Sequence, residues 1–338
     1  MTGKLTDRLH GHYHSGPRSG HFDGRRFFNP GGKAPAGFGD LIRWKLLERP
    51  EVWPKSFPSH HHGARPERRI QGQAIRVTMV GHATLLIQTD GLNLLTDPVW
   101  SDRASPLTFA GPKRVNPPGI AFDDLPPVDA VLLTHNHYDH CDLATLKRLA
   151  ARDNPLVITP LGNDAVIAAS VARDRIVTGD WHDTVLLPGG TSVTFEPCHH
   201  WSARGMGDRR MALWAAFAIR SPAGLIHHVG DTGFHDGRPY AEFAARHGAP
   251  RLSILPIGAY EPRWFMKHQH QDPDEAVEGF RLSGSAHAVG HHWGTFQLTN
   301  EAITDPRDRL HGALDRHAIA RERFRALVPG EAFDVPPA

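Results

Sequence analysis

The hydrophobic pattern changes character near residue 69. Residues 1–68 are rich in Gly, Pro, Arg and His and show little periodicity, with one helical pattern at 40–48. Beyond them Ile75, Val77 and Met79 alternate with other residues as a strand facing a core requires, and Leu85 with Ile87 repeats the period. Asp90-Gly91 predicts a hairpin turn into Leu92, Leu94 and Leu95, which run into Thr96-Asp97-Pro98. Next come a strand at 129–133, a helix at 142–151, a strand at 156–159 and a helix near 163–171. A second series of strands follows at 185–187, 193–195, 213–219, 225–229 and 252–256, with helices at 240–247 and 272–282. Asp272-Pro273-Asp274-Glu275 gives the last helix a capping residue, a proline at its first position and an acid at its third. A final strand at 287–290 precedes a tail that reads as mostly helical.

Strands dominate both halves and helices come later in each. Two mixed β-sheets facing one another, with helices on the outer faces, accommodate that order, an αββα sandwich of the α/β class. The division expected is an N-terminal extension over 1–68, partly irregular with one short helix, and a single catalytic domain over 69–338.

Composition narrows the function. The 38 basic and 36 acidic residues nearly cancel, and no Lys/Arg stripe marks a nucleic-acid surface. Two cysteines, Cys141 and Cys198, imply no disulfide framework and read as small buried packing residues. The N-terminus has no apolar signal core and the longest apolar run, 211–219, is too short to span a bilayer, so a soluble, cytoplasmic protein is expected. Histidine is the anomaly, at 25 residues. His10, His12, His14, His21 and the run His60-His61-His62 lie in loop-like sequence and read as surface residues without a role.

The stretch Thr134 to Asp142 reads THNHYDHCD and follows an apolar strand. Residues two apart in a strand point the same way, so His135 and His137 can converge on one ion, while Asp139 and His140 aim at a point beside it. Four ligands in six residues are too many for one tetrahedral zinc with an open position, so two ions fit better. Further donors stand just past other strands, in EPCHHW (196–201), VGDTG (229–233) and GHHWG (290–294). The residues alone leave His199 and His200 both open, and likewise His291 and His292. His227 and His228 are weak candidates because they fall inside a strand.

HxHxDH followed by distant His, Asp and His resembles the metallo-β-lactamase superfamily. GHATLLI (81–87), LTDPVWSDRASP (95–106), GPKR (111–114), THNHYDH (134–140), HW (200–201), GDTG (230–233), PIGAYEPRWFMKHQHQDPDEAV (256–277) and HWGTF (292–296) resemble, more closely, the N-acylphosphatidylethanolamine-hydrolysing phospholipase D family. The resemblance implies that His135, His137 and His200 hold one zinc, that Asp139, His140 and His292 hold a second, and that Asp231 bridges both. His199 and His291 then become supporting residues. All donors are nitrogen or oxygen, which suits zinc, and a di-iron site of this fold is expected to carry Glu where His137 stands. His82 and Asp97 are expected to support ligands rather than to be ligands.

The activity implied is hydrolysis of a phosphodiester to an N-acylethanolamine and phosphatidic acid, with the ion pair lowering the pKa of its water towards about 7. His270 is expected to act as general acid or substrate-positioning group, with Tyr260 and Gln269 beside the substrate. The alternatives are a lactonase or soluble phosphodiesterase on the same scaffold, or a metal-binding sensor without turnover. A phospholipid needs an apolar entrance. Segment 38–53 places Phe38, Leu41, Ile42, Leu46 and Trp53 roughly on one side, which suits either packing on the core, the favoured reading, or peripheral contact with the inner membrane surface. The resemblance also implies a homodimer.

Overall fold

A computed structural model describes residues 13–205 and 207–337; His10 and His12 lie outside them. The N-terminal part is largely irregular and carries α1 (Phe38–Leu47). The first sheet is built from β1 (Ile75–Gly81), β2 (Thr84–Thr89), β3 (Leu92–Thr96) and β4 (Ala130–Leu132), then, after α2 (Leu143–Arg152), from β5 (Leu156–Pro160) and, after the single-turn α3 (Asp164–Ile167), β6 (Ile176–Gly179). The second sheet starts with β7 (Thr184–Leu186), β8 (Ser192–Glu196), β9 (Ala216–Ser221) and β10 (Gly224–His228). It continues after α4 (Arg238–His247) with β11 (Leu252–Pro256) and, past α5 (Arg263–Met266) and α6 (Pro273–Leu282), with β12 (His287–His291). Last come α7 (Asp305–Arg316), β13 (Phe324–Ala326) and β14 (Ala332–Asp334).

The sheets have the orders β14-β1-β2-β3-β4-β5-β6 and β13-β12-β11-β10-β9-β8-β7, with parallel and antiparallel neighbours in both. Their inner faces share one core, in which Val77, Leu85 and Leu94 of the first sheet meet Phe195, Phe217 and Ile254 of the second. Leu146 and Leu149 of α2 cover the outer face of the first sheet. Ala276, Val277 and Phe280 of α6, with Leu310 and Leu314 of α7, cover the second. The αββα sandwich is therefore the fold. The cap on α6 forms as its residues require: Asp272 Oδ1 accepts from the Glu275 amide at 2.9 Å and Glu275 Oε2 accepts from the Asp272 amide at 3.0 Å.

Three expectations need correction. The tail is not mostly helical, since β13 pairs with β12 and β14 with β1, each finishing a sheet edge. Three-residue strands are too short to show a period. The helix near 163–171 is one turn. His14 and His21 are not idle surface residues: His21 Nε2 lies 2.7 Å from Asp180 Oδ1, its ring stacks on Trp181 at 4.4 Å, and His14 packs against Phe22 at 5.0 Å. These contacts fasten the N-terminal segment to the sandwich.

Candidate metal centre

Strand β4 stops at Leu132, and the chain then turns sharply, with the amides of His140 and Cys141 both donating to the His137 carbonyl. The turn swings His135, His137, Asp139 and His140 to one end of the sheets. Asp231 arrives from the end of β10 through Gly230, whose φ of 65° and close approach to Thr134 leave no room for a side chain. His200 follows β8, and His292 follows β12 in a left-handed conformation with φ 64°.

Two groups of donors result. His137 Nδ1 lies 2.8 Å from His135 Nε2 and 3.2 Å from His200 Nε2. His292 Nε2 lies 3.1 Å from both Asp139 Oδ2 and His140 Nε2. Asp231 Oδ2 stands between them, 3.2 Å from His140 Nε2 and His292 Nε2, 3.6 Å from His200 Nε2 and 4.0 Å from His135 Nε2. Donors at zinc-ligand bond lengths of about 2.0–2.1 Å lie roughly 3.3 Å apart around a tetrahedral ion, close to the spacing here.

The outer hydrogen bonds decide which nitrogen faces inward. His140 Nδ1 donates to Asp97 Oδ2 at 2.8 Å and His200 Nδ1 donates to the Gln269 carbonyl at 3.0 Å. Thr134 Oγ1 gives its hydrogen to Asp97 Oδ2 at 2.8 Å and so accepts from His135 Nδ1 at 2.9 Å. In all three histidines Nε2 is thereby the nitrogen turned to the centre, the arrangement that a metal ligand needs. His82 Nε2 donates to Asp139 Oδ2 at 2.9 Å, which makes it a support for the carboxylate.

Electrostatics agrees. Burial holds His135, His137 and His200 below the ordinary histidine range, His137 at about 3 and His200 at about 4, so they stand neutral with free lone pairs. Burial would also push Asp139 and Asp231 up, but the facing histidines reverse it and hold both well below the usual carboxylate range. Burial disfavours a proton on His292 too, yet Asp231 and Asp139 outweigh it and raise that histidine to about 9. A buried site that draws positive charge and offers only nitrogen and oxygen donors fits divalent cations of the zinc type. The two cysteines are buried and free, and burial pushes the Cys141 thiol up to about 11, as packing residues require.

His199 turns away and stacks on His235 at 4.5 Å, while His291 is buried 6.3 Å from the His292 ring. His270 does reach the centre, with Nε2 3.9 Å from Asp231 Oδ2. Gln269 lies beside it and also orients His200 through its carbonyl. Tyr260 does not belong with them. Its side chain is fully buried and its hydroxyl is engaged by Asp305, because the loop folds back on α7 and Glu301, so its expected contact with substrate is withdrawn. Asn29 was missed: its Nδ2 donates to the His200 carbonyl at 2.9 Å across 171 residues of sequence, and only the resemblance starting near residue 26 hinted at it.

A cavity of about 750 Å³ opens from this centre. His137, Asp139, Asp231 and His270 form its floor, and Phe38, Leu41, Trp44, Phe265, Met266 and Leu298 give it apolar walls. The favoured reading of segment 38–53 is also overturned. Only Trp44 of α1 is buried, tied through Nε1 to Asn300 Oδ1 at 3.0 Å, while Phe38, Leu46 and Leu47 are 74%, 77% and 71% exposed. The helix packs by its Trp44 edge, lines the cavity with Phe38 and Leu41, and leaves Leu46 and Leu47 in solvent.

Fold and centre together define a metallo-hydrolase of the metallo-β-lactamase class, and the beta-lactamase superfamily domain matches residues 92–293, a span holding all seven candidate ligands. The N-acyl-phosphatidylethanolamine-hydrolyzing phospholipase D 1 of Caenorhabditis elegans is 38% identical over 270 residues, 76% of this chain and 75% of that one. An uncharacterized Mycobacterium tuberculosis protein is 37% identical over 87% of this chain and 77% of its own. The crystal structure of an isothiocyanate hydrolase from Delia radicum gut bacteria shares the fold, with a TM-score of 0.59 at 22% identity over 77% of this chain and 99% of that one. The chain belongs to the beta-lactamase superfamily and, within it, to the family of N-acylphosphatidylethanolamine-hydrolysing phospholipases D.

Proposed function

We propose that the protein is a zinc-dependent phosphodiesterase of phospholipase D type, cleaving N-acylphosphatidylethanolamine-like lipids to an N-acylethanolamine and phosphatidic acid. The observation that carries this reading is the cavity, polar at the floor of His137, Asp139, Asp231 and His270 and apolar along α1 and α5. In this reading His135, His137 and His200 would hold one zinc, Asp139, His140 and His292 the other, and Asp231 would serve both. Two bound zinc ions supply charge neutralisation at the phosphoryl group and activation of water near neutral pH.

The chain's own residues do the rest. The apolar walls take the acyl chains and exclude water from around the phosphate, which strengthens every charge interaction at the floor. His270 faces the same space. Burial holds it well below the ordinary histidine range, so its ring arrives neutral and offers one N–H to the oxygen that leaves phosphorus.

The exposed face of α1 is the docking element in this reading. Phe38, Leu46 and Leu47 enter the lipid surface, and Arg43 and Lys45 lie over the rings of Trp264 and Trp44, where cations can reach anionic headgroups. Among the described residues no helix is long and apolar enough to cross a membrane, so contact is peripheral in this proposal, at the inner membrane surface.

The test is direct. Purified protein is given N-acylphosphatidylethanolamine in mixed micelles and, separately, bis(p-nitrophenyl) phosphate, with products read by mass spectrometry and absorbance. The lipid should be cleaved much faster, because contacts to the remote chains can orient the phosphate. Turnover of the small diester without any lipid cleavage would mean a soluble-substrate phosphodiesterase.

A further inference from the structure

The N-terminal segment 26–36 touches several loops beside the centre, those carrying His200, Arg209, Trp214, His235 and Gln269. Asn29 Nδ2 donates to the His200 carbonyl at 2.9 Å, and Asn29 Oδ1 accepts from Trp214 Nε1 at 3.0 Å, an indole that also donates to the Cys198 carbonyl. Gln269 Nε2 donates to the Lys33 carbonyl at 3.2 Å, Arg209 to the Ala36 carbonyl at 2.9 Å, and His235 Nε2 to the Gly31 carbonyl at 3.2 Å. Gly32 turns so tightly here that an added Cβ would lie 2.8 Å from the Asn29 Cβ and 3.1 Å from His199 Nδ1. Phe22 and Phe27 anchor the segment against Leu213 and Trp214.

We propose that this strap, acting through Asn29, is a metal-retention element for the His135–His137–His200 group. The argument starts from the backbone of His200. Its ring is oriented by the Gln269 carbonyl, but nothing in that bond holds the Cα in place. Asn29 does so from the opposite side, and Trp214 fixes the Asn29 amide in the orientation that presents its NH2 to His200. A strap that also ties Gln269 through Lys33 therefore controls both determinants of one ligand: where its backbone stands and where its Nε2 points. Among the described residues His140 and His292 receive no hydrogen bond from the strap, so the effect belongs to one group of the two. Asn29 is a positioning residue, 8% exposed and with both side-chain atoms engaged.

The proposal rests on the reading of His200 as a ligand, and the experiment separates the two. Zinc-loaded full-length protein is mixed with excess chelator, and release is followed with a metallochromic indicator. Asn29→Ala should speed the loss of one zinc by about ten- to a hundredfold, the usual scale for losing an outer partner of a ligand, and leave the other ion's release unchanged. Gly32→Ala perturbs the strap sterically without removing a polar group and should act in the same direction; it carries the test should Asn29→Ala melt too early to be measured. Release within about twofold of the parent protein in both variants would overturn the proposal and leave the strap a purely structural contact. Absence of tightly held zinc in the parent protein would instead bring down the reading of the centre itself, and the proposal with it.

Discussion

Asp97 holds His140 by a 2.8 Å hydrogen bond from Nδ1, and the same carboxylate accepts from both the amide and the hydroxyl of Thr134. A carboxylate can only accept, so Asp97 keeps a proton on His140 Nδ1 and Nε2 is the nitrogen turned towards Asp231. Asp97→Asn places an NH2 where Oδ2 stood, which favours the opposite tautomer and turns an N–H into the centre. Zinc affinity should fall by about ten- to a hundredfold with only a small change in melting temperature. Unchanged affinity in equilibrium competition with a chelator would show that His140 is not a ligand.

Asp231 has Oδ2 within 4.0 Å of nitrogens from both groups of histidines. The parent protein should carry close to two zinc ions per chain by elemental analysis. Asp231→Asn should lower that occupancy and remove most turnover, because a neutral amide cannot hold two cations as a carboxylate does. Near-parental hydrolysis by the variant would exclude a shared ligand at this position.

Much of this centre was legible because its chemistry is concentrated. THNHYDH puts four candidate ligands at one strand end, and GDTG and HW follow apolar runs that read as strands. What the sequence left open was geometric: His199 against His200, and His291 against His292, are pairs of like residues whose separation depends on the turn each strand makes. Asn29 was illegible because a single polar residue in Gly- and Pro-rich sequence has no period, and its partner lies 171 residues away. Tyr260 misled for a related reason. Its loop does reach the centre through Gln269 and His270, yet one side chain in it points back towards Asp305. The exposed face of α1 could not be read from periodicity, which identifies an apolar side without saying what covers it.

His228 is fully buried on β10, with its ring facing Phe217 and His291, and neither ring nitrogen has a hydrogen-bond partner among the described residues. Burial lowers its pKa to about 4, with Asp97, His140 and Asp231 contributing smaller effects of both signs. In the unfolded chain the group titrates near 6.5, so as pH falls below that value the unfolded state takes up the proton first. The parent protein therefore loses stability between about pH 6.5 and 4, by on the order of 3 kcal/mol from this residue. His228→Leu removes the contribution and should be at least as stable at pH 8, with its advantage growing towards pH 5. Parallel melting curves across that range would refute the assignment.

Leu46 and Leu47 leave most of their surface in solvent and lie outside the cavity lining, so Leu46→Asp and Leu47→Asp should each change folding stability by only about 0.5 kcal/mol. Combined, they should strongly reduce sedimentation with vesicles of phosphatidylethanolamine and phosphatidylglycerol. Hydrolysis of bis(p-nitrophenyl) phosphate should be unaffected, because that substrate reaches the centre without docking. Unaltered vesicle binding would mean that α1 is not the membrane-facing element.

His270 gives the sharpest discrimination between substrates. Its Nε2 is 3.9 Å from Asp231 Oδ2, while its Nδ1 is buried without a hydrogen-bond partner among the described residues, so Nε2 is the nitrogen placed to meet a substrate oxygen. The oxygen that leaves an N-acylethanolamine ester is an alkoxide and gains greatly from a hydrogen bond as the bond to phosphorus breaks. A nitrophenolate is already a good leaving group and gains little. His270→Ala should therefore depress kcat on the lipid by about a hundredfold or more, and on bis(p-nitrophenyl) phosphate by far less, with zinc content unchanged. Equal losses on both substrates would reduce His270 to orienting the phosphate, since that role serves both esters alike. A loss confined to KM on the lipid would place the residue in contact with the headgroup rather than with the breaking bond.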